Sequence, residues 1–99
     1  MQSEEEIGHA CIAMWGQQEQ IRQTIEECAE LIVKLAKYGR DVNGSNETQI
    51  CEEIADVEIM CKQMRLIFNS DVIDNIKTQK LIRLSFRLAE ELKDGPTTN

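Results

Sequence analysis

Two short words in the sequence have the residue types and spacing to hold a cation against a phosphate: Glu26-Glu27-Cys28-Ala29-Glu30 and Glu53-Ile54-Ala55-Asp56. Acids three residues apart on a helix project from one side about a turn apart, so each pair grips one ion from two points. Two such pairs on antiparallel neighbouring helices converge on a shared site. Carboxylate oxygens are hard ligands that suit Mg²⁺ or Mn²⁺. Mg²⁺ keeps several waters and takes up substrate phosphates, so a site of four acids is completed only when a phosphate arrives. The rival account is a solvated acidic face, a serious one in a chain with 18 acidic residues. The setting of the second pair counts against it. Glu53 and Asp56 share a flank with Met60 and Ile67, with Glu53, Met60 and Ile67 at heptad spacing. Like charges on an apolar flank raise one another's pKa and cost stability unless a cation neutralises them.

The elements that carry these words read as helices. Ser3 followed by Glu6 is a capping box, and a first helix runs from it to about Trp15. Gly16 breaks or kinks the chain. A second helix runs from about Gln17 to Tyr38 on a stripe of Ile21, Ile25, Cys28, Ile32 and Leu35, with Gly39 placed as its C′ residue. Residues 40–46 form a polar loop rich in turn formers. A third helix starts near Asn46, with Gln49 at the capping-box position, and reaches about Asn69; its stripe is Ile50, Ile54, Val57, Cys61, Met64 and Phe68. Ser70 or Asp71 caps a fourth helix reaching about Lys93, with Leu81, Leu84, Leu88 and Leu92 on one face. The expected fold is all-α, bundle-like and four-helical, a single domain over 1–94 with a polar tail at 95–99. Leu31 and Val33 fall outside the stripe of the second helix, and Ile59 and Leu66 lie nearly opposite that of the third. Two apolar sides on each of two helices exceed what 99 residues can cover, which predicts oligomerisation through these helices.

Composition narrows the function. Hydrophobic residues are 41% and charged residues 29%, too apolar for a disordered chain; Gly 5 and Pro 1 leave little of the turn chemistry an all-β fold needs. The formal charge is −7, concentrated in residues 1–56, which hold 12 acids against 4 bases. That balance argues against nucleic acid and anionic membranes as partners, but not against a small phosphorylated substrate whose metal ions invert the local sign. Cys11, Cys28, Cys51 and Cys61 form no CxxC pair, and the only histidine is His9; zinc spacing is absent, and the thiols read as reduced. The acidic start, Met-Gln-Ser-Glu-Glu-Glu, is the wrong charge for a signal peptide, and no apolar run approaches spanning length. The expected location is the cytoplasm.

Glu-Glu-x-x-Glu followed, after 22 residues, by Glu-x-x-Asp resembles the signature of the MazG-like all-α nucleoside triphosphate pyrophosphohydrolases. Trp15-Gly16, the stretches Glu26 to Lys34 and Glu52 to Met60, and Lys80-Leu81-x-Arg83-Leu84 look like the short phage and bacterial members, so the resemblance covers most of the chain. It implies a four-helix fold assembled as a homodimer or homotetramer, and Mg²⁺-dependent cleavage of an NTP or dNTP to monophosphate and pyrophosphate. By motif match, Glu27, Glu30, Glu53 and Asp56 are the metal ligands. Glu26, the first acid of the motif, acts behind them or as an accessory base, and Glu27 and Glu26 are the catalytic pair. Metal ions offset phosphate charge and lower the pKa of a bound water, which attacks phosphorus.

Substrate contacts are drawn more loosely. Lys80, Arg83 and Arg87 make a basic stripe on the fourth helix that can clamp phosphates, or simply face solvent with Arg87 paired to Glu91. Lys34 and Lys37 read the same two ways. Trp15 either stacks on a base or packs at the helix junction. Two other metal readings fail on spacing. Asp41, Asn43, Ser45, Glu47 and Glu52 fit an EF-hand-like loop, but Asn46 stands where that loop needs Gly. A di-iron bundle needs two Glu-x-x-His motifs. The remaining alternative is a non-catalytic oligomeric helical interaction or nucleotide-binding regulatory module, separable by metal dependence.

Overall fold

The computed structural model describes residues 1–40 and 46–93. They form four helices: α1 (Glu4–Trp15), α2 (Gln17–Tyr38), α3 (Glu47–Ile67) and α4 (Ser70–Lys93). The protein is all-α, with no strand among the described residues. None of these helices is long and apolar enough to cross a membrane. The chain divides into two compact units, Met1–Phe68 and Asn69–Asn99.

In the first unit, α2 packs chiefly on α3, and α1 lies against both. The capping box at Ser3 forms as read: Ser3 Oγ accepts from the Glu6 N–H at 3.0 Å, and Glu6 Oε1 accepts from the Ser3 N–H. Gly16 joins α1 to α2 at φ +92°, a left-handed value that side chains with a Cβ avoid, and this allows two helices to abut with one residue between them. Gly8 is buried where α1 crosses α3; a Cβ there would stand 2.8 Å from Leu66 Cδ1.

Several local expectations are corrected. Gly39 ends α2 with a right-handed φ of −67°, its N–H bonded to the Leu35 carbonyl, so it is not a left-handed C′ residue. Asn46 is the N-cap of α3 but makes no side-chain cap bond; its Nδ2 donates instead to the Lys34 carbonyl at 3.0 Å, tying the start of α3 to the last turns of α2. α3 ends at Ile67 rather than Asn69.

The larger correction concerns which faces turn inward. Ile25, Ile32 and Leu35, from the predicted stripe of α2, are 50–67% exposed, and Ile54 and Cys61 of α3 and Phe68 just after it are exposed as well. The buried set among the described residues is Ile50, Met60, Gln20, Asn46, Gln63 and Gly8. The seam between α2 and α3 is therefore the flank that carries Glu53 and Met60, and it meets a row on α2 running through Gln20, Gln23, Glu27 and Lys34. These α2 residues recur at three-, four- and seven-residue steps, the repeat of one helix face. Leu31 and Leu66, read as lying off the stripes, are half-buried, while Val33 and Ile59 stay exposed.

Among the described residues, the second unit contains a single helix. Asn69 Oδ1 accepts from the Val72 N–H at 3.1 Å, so Asn69, and not Ser70 or Asp71, caps α4. No α4 residue is buried, and Leu81, Leu84, Leu88 and Leu92 are 48–77% exposed. The loop residues 41–45, with the EF-hand-like positions Asp41, Asn43 and Ser45, and the tail 95–99 lie outside the described residues.

Candidate metal and phosphate site

The middle of the seam holds carboxylates. Glu27 and Glu30 reach from α2 and Glu53 from α3, and one oxygen of each lies within 4.8 Å of the others. Glu27 Oε1 accepts from Gln23 Nε2 at 3.0 Å, one turn earlier on the same helix. Its Oε2 is buried without a partner, and so is Glu53 Oε2. A buried carboxylate oxygen with no donor is costly, and two on residues of one cluster are more so. Burial pushes the Glu53 carboxyl up to about 7, helped by Glu30 and then Glu27. Without a cation, the cluster relieves its repulsion by holding a proton near neutrality.

The donor set fits a hard divalent cation: three carboxylates from two helices, two orphaned oxygens, and no competing nitrogen or sulfur ligand in the cluster. Beside it opens a cleft of about 360 Å³ lined by Ala29, Glu30, Val33, Lys34 and Glu53. Lys34 lines this cleft together with Glu30 and Glu53, and its ammonium can meet a phosphate.

Of the residues singled out from the sequence, Glu27, Glu30 and Glu53 are brought together. Asp56, one turn beyond Glu53, is exposed and lies outside this cluster. Glu26 is exposed and accepts from Arg22 Nη1 at 2.8 Å; the same guanidinium grips Glu19, and these two acids push the Arg22 pKa up, Glu19 first. Glu26 is therefore held one helix position away from the cluster, on an arginine. Trp15, at the end of α1, is 61% exposed and lines a second cleft along the seam. In the second unit, Lys80, Arg83 and Arg87 are all exposed, and Arg87 Nε lies 3.7 Å from Glu91 Oε1.

The sequence reading missed one pair. Gln20 and Gln63 are 5% and 4% exposed, and Gln20 Nε2 donates to Gln63 Oε1 at 2.6 Å across the seam. The available signal was register: Gln20 precedes Glu27 by seven residues, and Gln63 follows Glu53 by ten, so both occupy the faces that carry the acids.

No protein-family model matches the chain, and no curated protein or solved structure does either.

Proposed function

We propose that the chain is a MazG-like, Mg²⁺-dependent nucleoside triphosphate pyrophosphohydrolase, cytoplasmic and working as a homodimer or homotetramer. The observation that carries this reading is the convergence of Glu27, Glu30 and Glu53 within 4.8 Å, with an oxygen of Glu27 and one of Glu53 buried and unpartnered. These three residues would hold Mg²⁺ or Mn²⁺, with Asp56 the fourth acid of the motif. When bound, the ion offsets phosphate charge and lowers the pKa of a water. Glu27, fixed by Gln23, is the group suited to orient that water. Glu26, held by Arg22 outside the cluster, backs it electrostatically. Lys34, which lines the cleft beside the acids, receives phosphate oxygens.

The exposed leucines of α4 and the exposed Ile25, Ile32 and Leu35 of α2 favour a second reading, an interaction module whose acids do no chemistry. Under the first reading the same surfaces are covered by further copies of this chain. Pyrophosphate release from a panel of NTPs and dNTPs with Mg²⁺ separates the two. Turnover to monophosphate and pyrophosphate, lost in chelator and in Glu53→Gln, is expected. A folded, oligomeric protein without turnover on any nucleotide would leave the interaction module.

A further inference from the structure

The buried pair Gln20–Gln63 takes no part in the proposed chemistry, yet its two residues are the most enclosed polar ones among the described residues. Two helices packed through apolar side chains alone can slide or rotate with little loss, because hydrophobic contacts have no direction. An amide–amide bond has one geometry. The bond from Gln20 Nε2 to Gln63 Oε1, at 2.6 Å, is made at one register of α2 on α3. At any other register two buried carboxamides lose each other.

The register it sets is also that of the acids. α2 and α3 run antiparallel: Gln20 meets Gln63 at one end of the seam, and the Lys34 carbonyl meets Asn46 at the other. Between these ends the two faces keep step. From Gln20, the positions Gln23, Glu27 and Glu30 follow at three, seven and ten residues; from Gln63, Met60, Asp56 and Glu53 precede at the same three, seven and ten. Ten helical residues span about 15 Å, so the amide bond fixes the level at which Glu30 meets Glu53. The tolerance is small. A slip of one turn shifts a helix by about 5.4 Å, more than the 4.8 Å within which oxygens of Glu27, Glu30 and Glu53 are gathered. Rotation does equal damage: Ile25, Ile32 and Leu35 give α2 a second, apolar face, exposed as the chain stands, and turning it onto α3 carries the acids away.

We propose that Gln20 and Gln63 are positioning residues, a register key whose bond holds α2 and α3 where Glu27, Glu30 and Glu53 converge. The key acts through the acids, and its effect is on cation affinity rather than on stability. The proposal rests on the reading of these acids as a cation site and adds what fixes their spacing. A pair that merely fills the seam loses nothing by becoming apolar. A key is defeated by any change that removes the bond, however well the replacement packs.

Calorimetric titration of the full chain with Mn²⁺, beside thermal melting in chelator, separates the two roles. Gln20→Leu combined with Gln63→Leu removes both amides and leaves neither unpaired. Its melting temperature is expected to stay level or rise, while Mn²⁺ affinity falls about tenfold or more. Gln63→Glu keeps an acceptor for Gln20 Nε2 but buries a carboxyl, so its melting temperature is expected to fall. Its Mn²⁺ affinity is expected to stay within about threefold of wild type, since the new charge lies beyond a Debye length from the acids. Affinity and stability then rank the two variants in opposite orders. A smaller loss of affinity in the leucine pair, affinities that follow the melting temperatures, or a leucine pair that does not fold each overturn the proposal. Wild type and the leucine pair decide it if Gln63→Glu does not fold. Mn²⁺ bound alike by both, and lost in Glu53→Gln, sinks the register key alone; a folded wild type that binds no Mn²⁺ sinks the cation reading with it.

Discussion

The α2–α3 seam and the helix α4 put their side chains in opposite places. The seam buries Gln20, Gln63 and an oxygen each of Glu27 and Glu53, while Ile25, Ile32 and Leu35 on the same α2 helix face outward. α4 has a regular leucine row and buries nothing. Burying amides and carboxylates in place of aliphatic side chains gives up hydrophobic stabilisation and adds desolvation cost. Such an arrangement persists where the polar groups have work to do. The leucine row of α4 is an ordinary amphipathic face that lies exposed. One region buries polar groups, and the other exposes an apolar row.

The sharpest way to break that contrast is at the acids. Glu53→Gln is expected to lower pyrophosphate release by about 10³-fold or more while the helices remain, as read by turnover beside far-ultraviolet circular dichroism. Glu26→Gln, which changes the acid that Arg22 holds outside the cluster, is expected to cost about 10–100-fold in kcat. On α4 the consequence belongs to association: Leu88→Glu is expected to weaken self-association about 30-fold or more in sedimentation velocity, the range of an interface hot spot. A monomeric wild type would remove that half of the comparison.

The smallest effect is on stability against pH. Glu53 rises from 4.5 to about 7 in the folded chain. Between those values the metal-free folded state holds more protons than the unfolded state, so its stability falls as pH climbs from about 4.5 through about 7. Melting temperature in chelator should therefore be lower at pH 8 than at pH 5.5. Mg²⁺ should restore it at pH 8, and Glu53→Gln should flatten the dependence.

Much of this was legible in the residues. Ser3 and Glu6 announce their box, Gly16 its junction, and the acid words fall on the two helices that bring Glu27, Glu30 and Glu53 together. What misled was the assumption that the most apolar face turns inward. On α2 that rule selects Ile25 and Ile32, whereas the row through Gln20, Gln23 and Glu27 faces α3. Periodicity shows which residues share a face, but the partner helix decides which face is covered. Asn46 illustrates the same limit: it has the type and position of a cap, yet its amide answers the nearby Lys34 carbonyl instead. Asp56 shares the spacing of the acid motif, but it lies outside the cluster its neighbours form.

The central claim is that the carboxylates of the seam are held for a divalent cation, and calorimetric titration with Mn²⁺ at pH 6 and pH 8 tests it directly. Expected is saturable binding that is tighter at pH 8, with protons released near neutrality as the ion displaces the one held at Glu53, and loss of both in Glu53→Gln. No binding at either pH by a folded protein, or wild type and Glu53→Gln that bind alike, would contradict it.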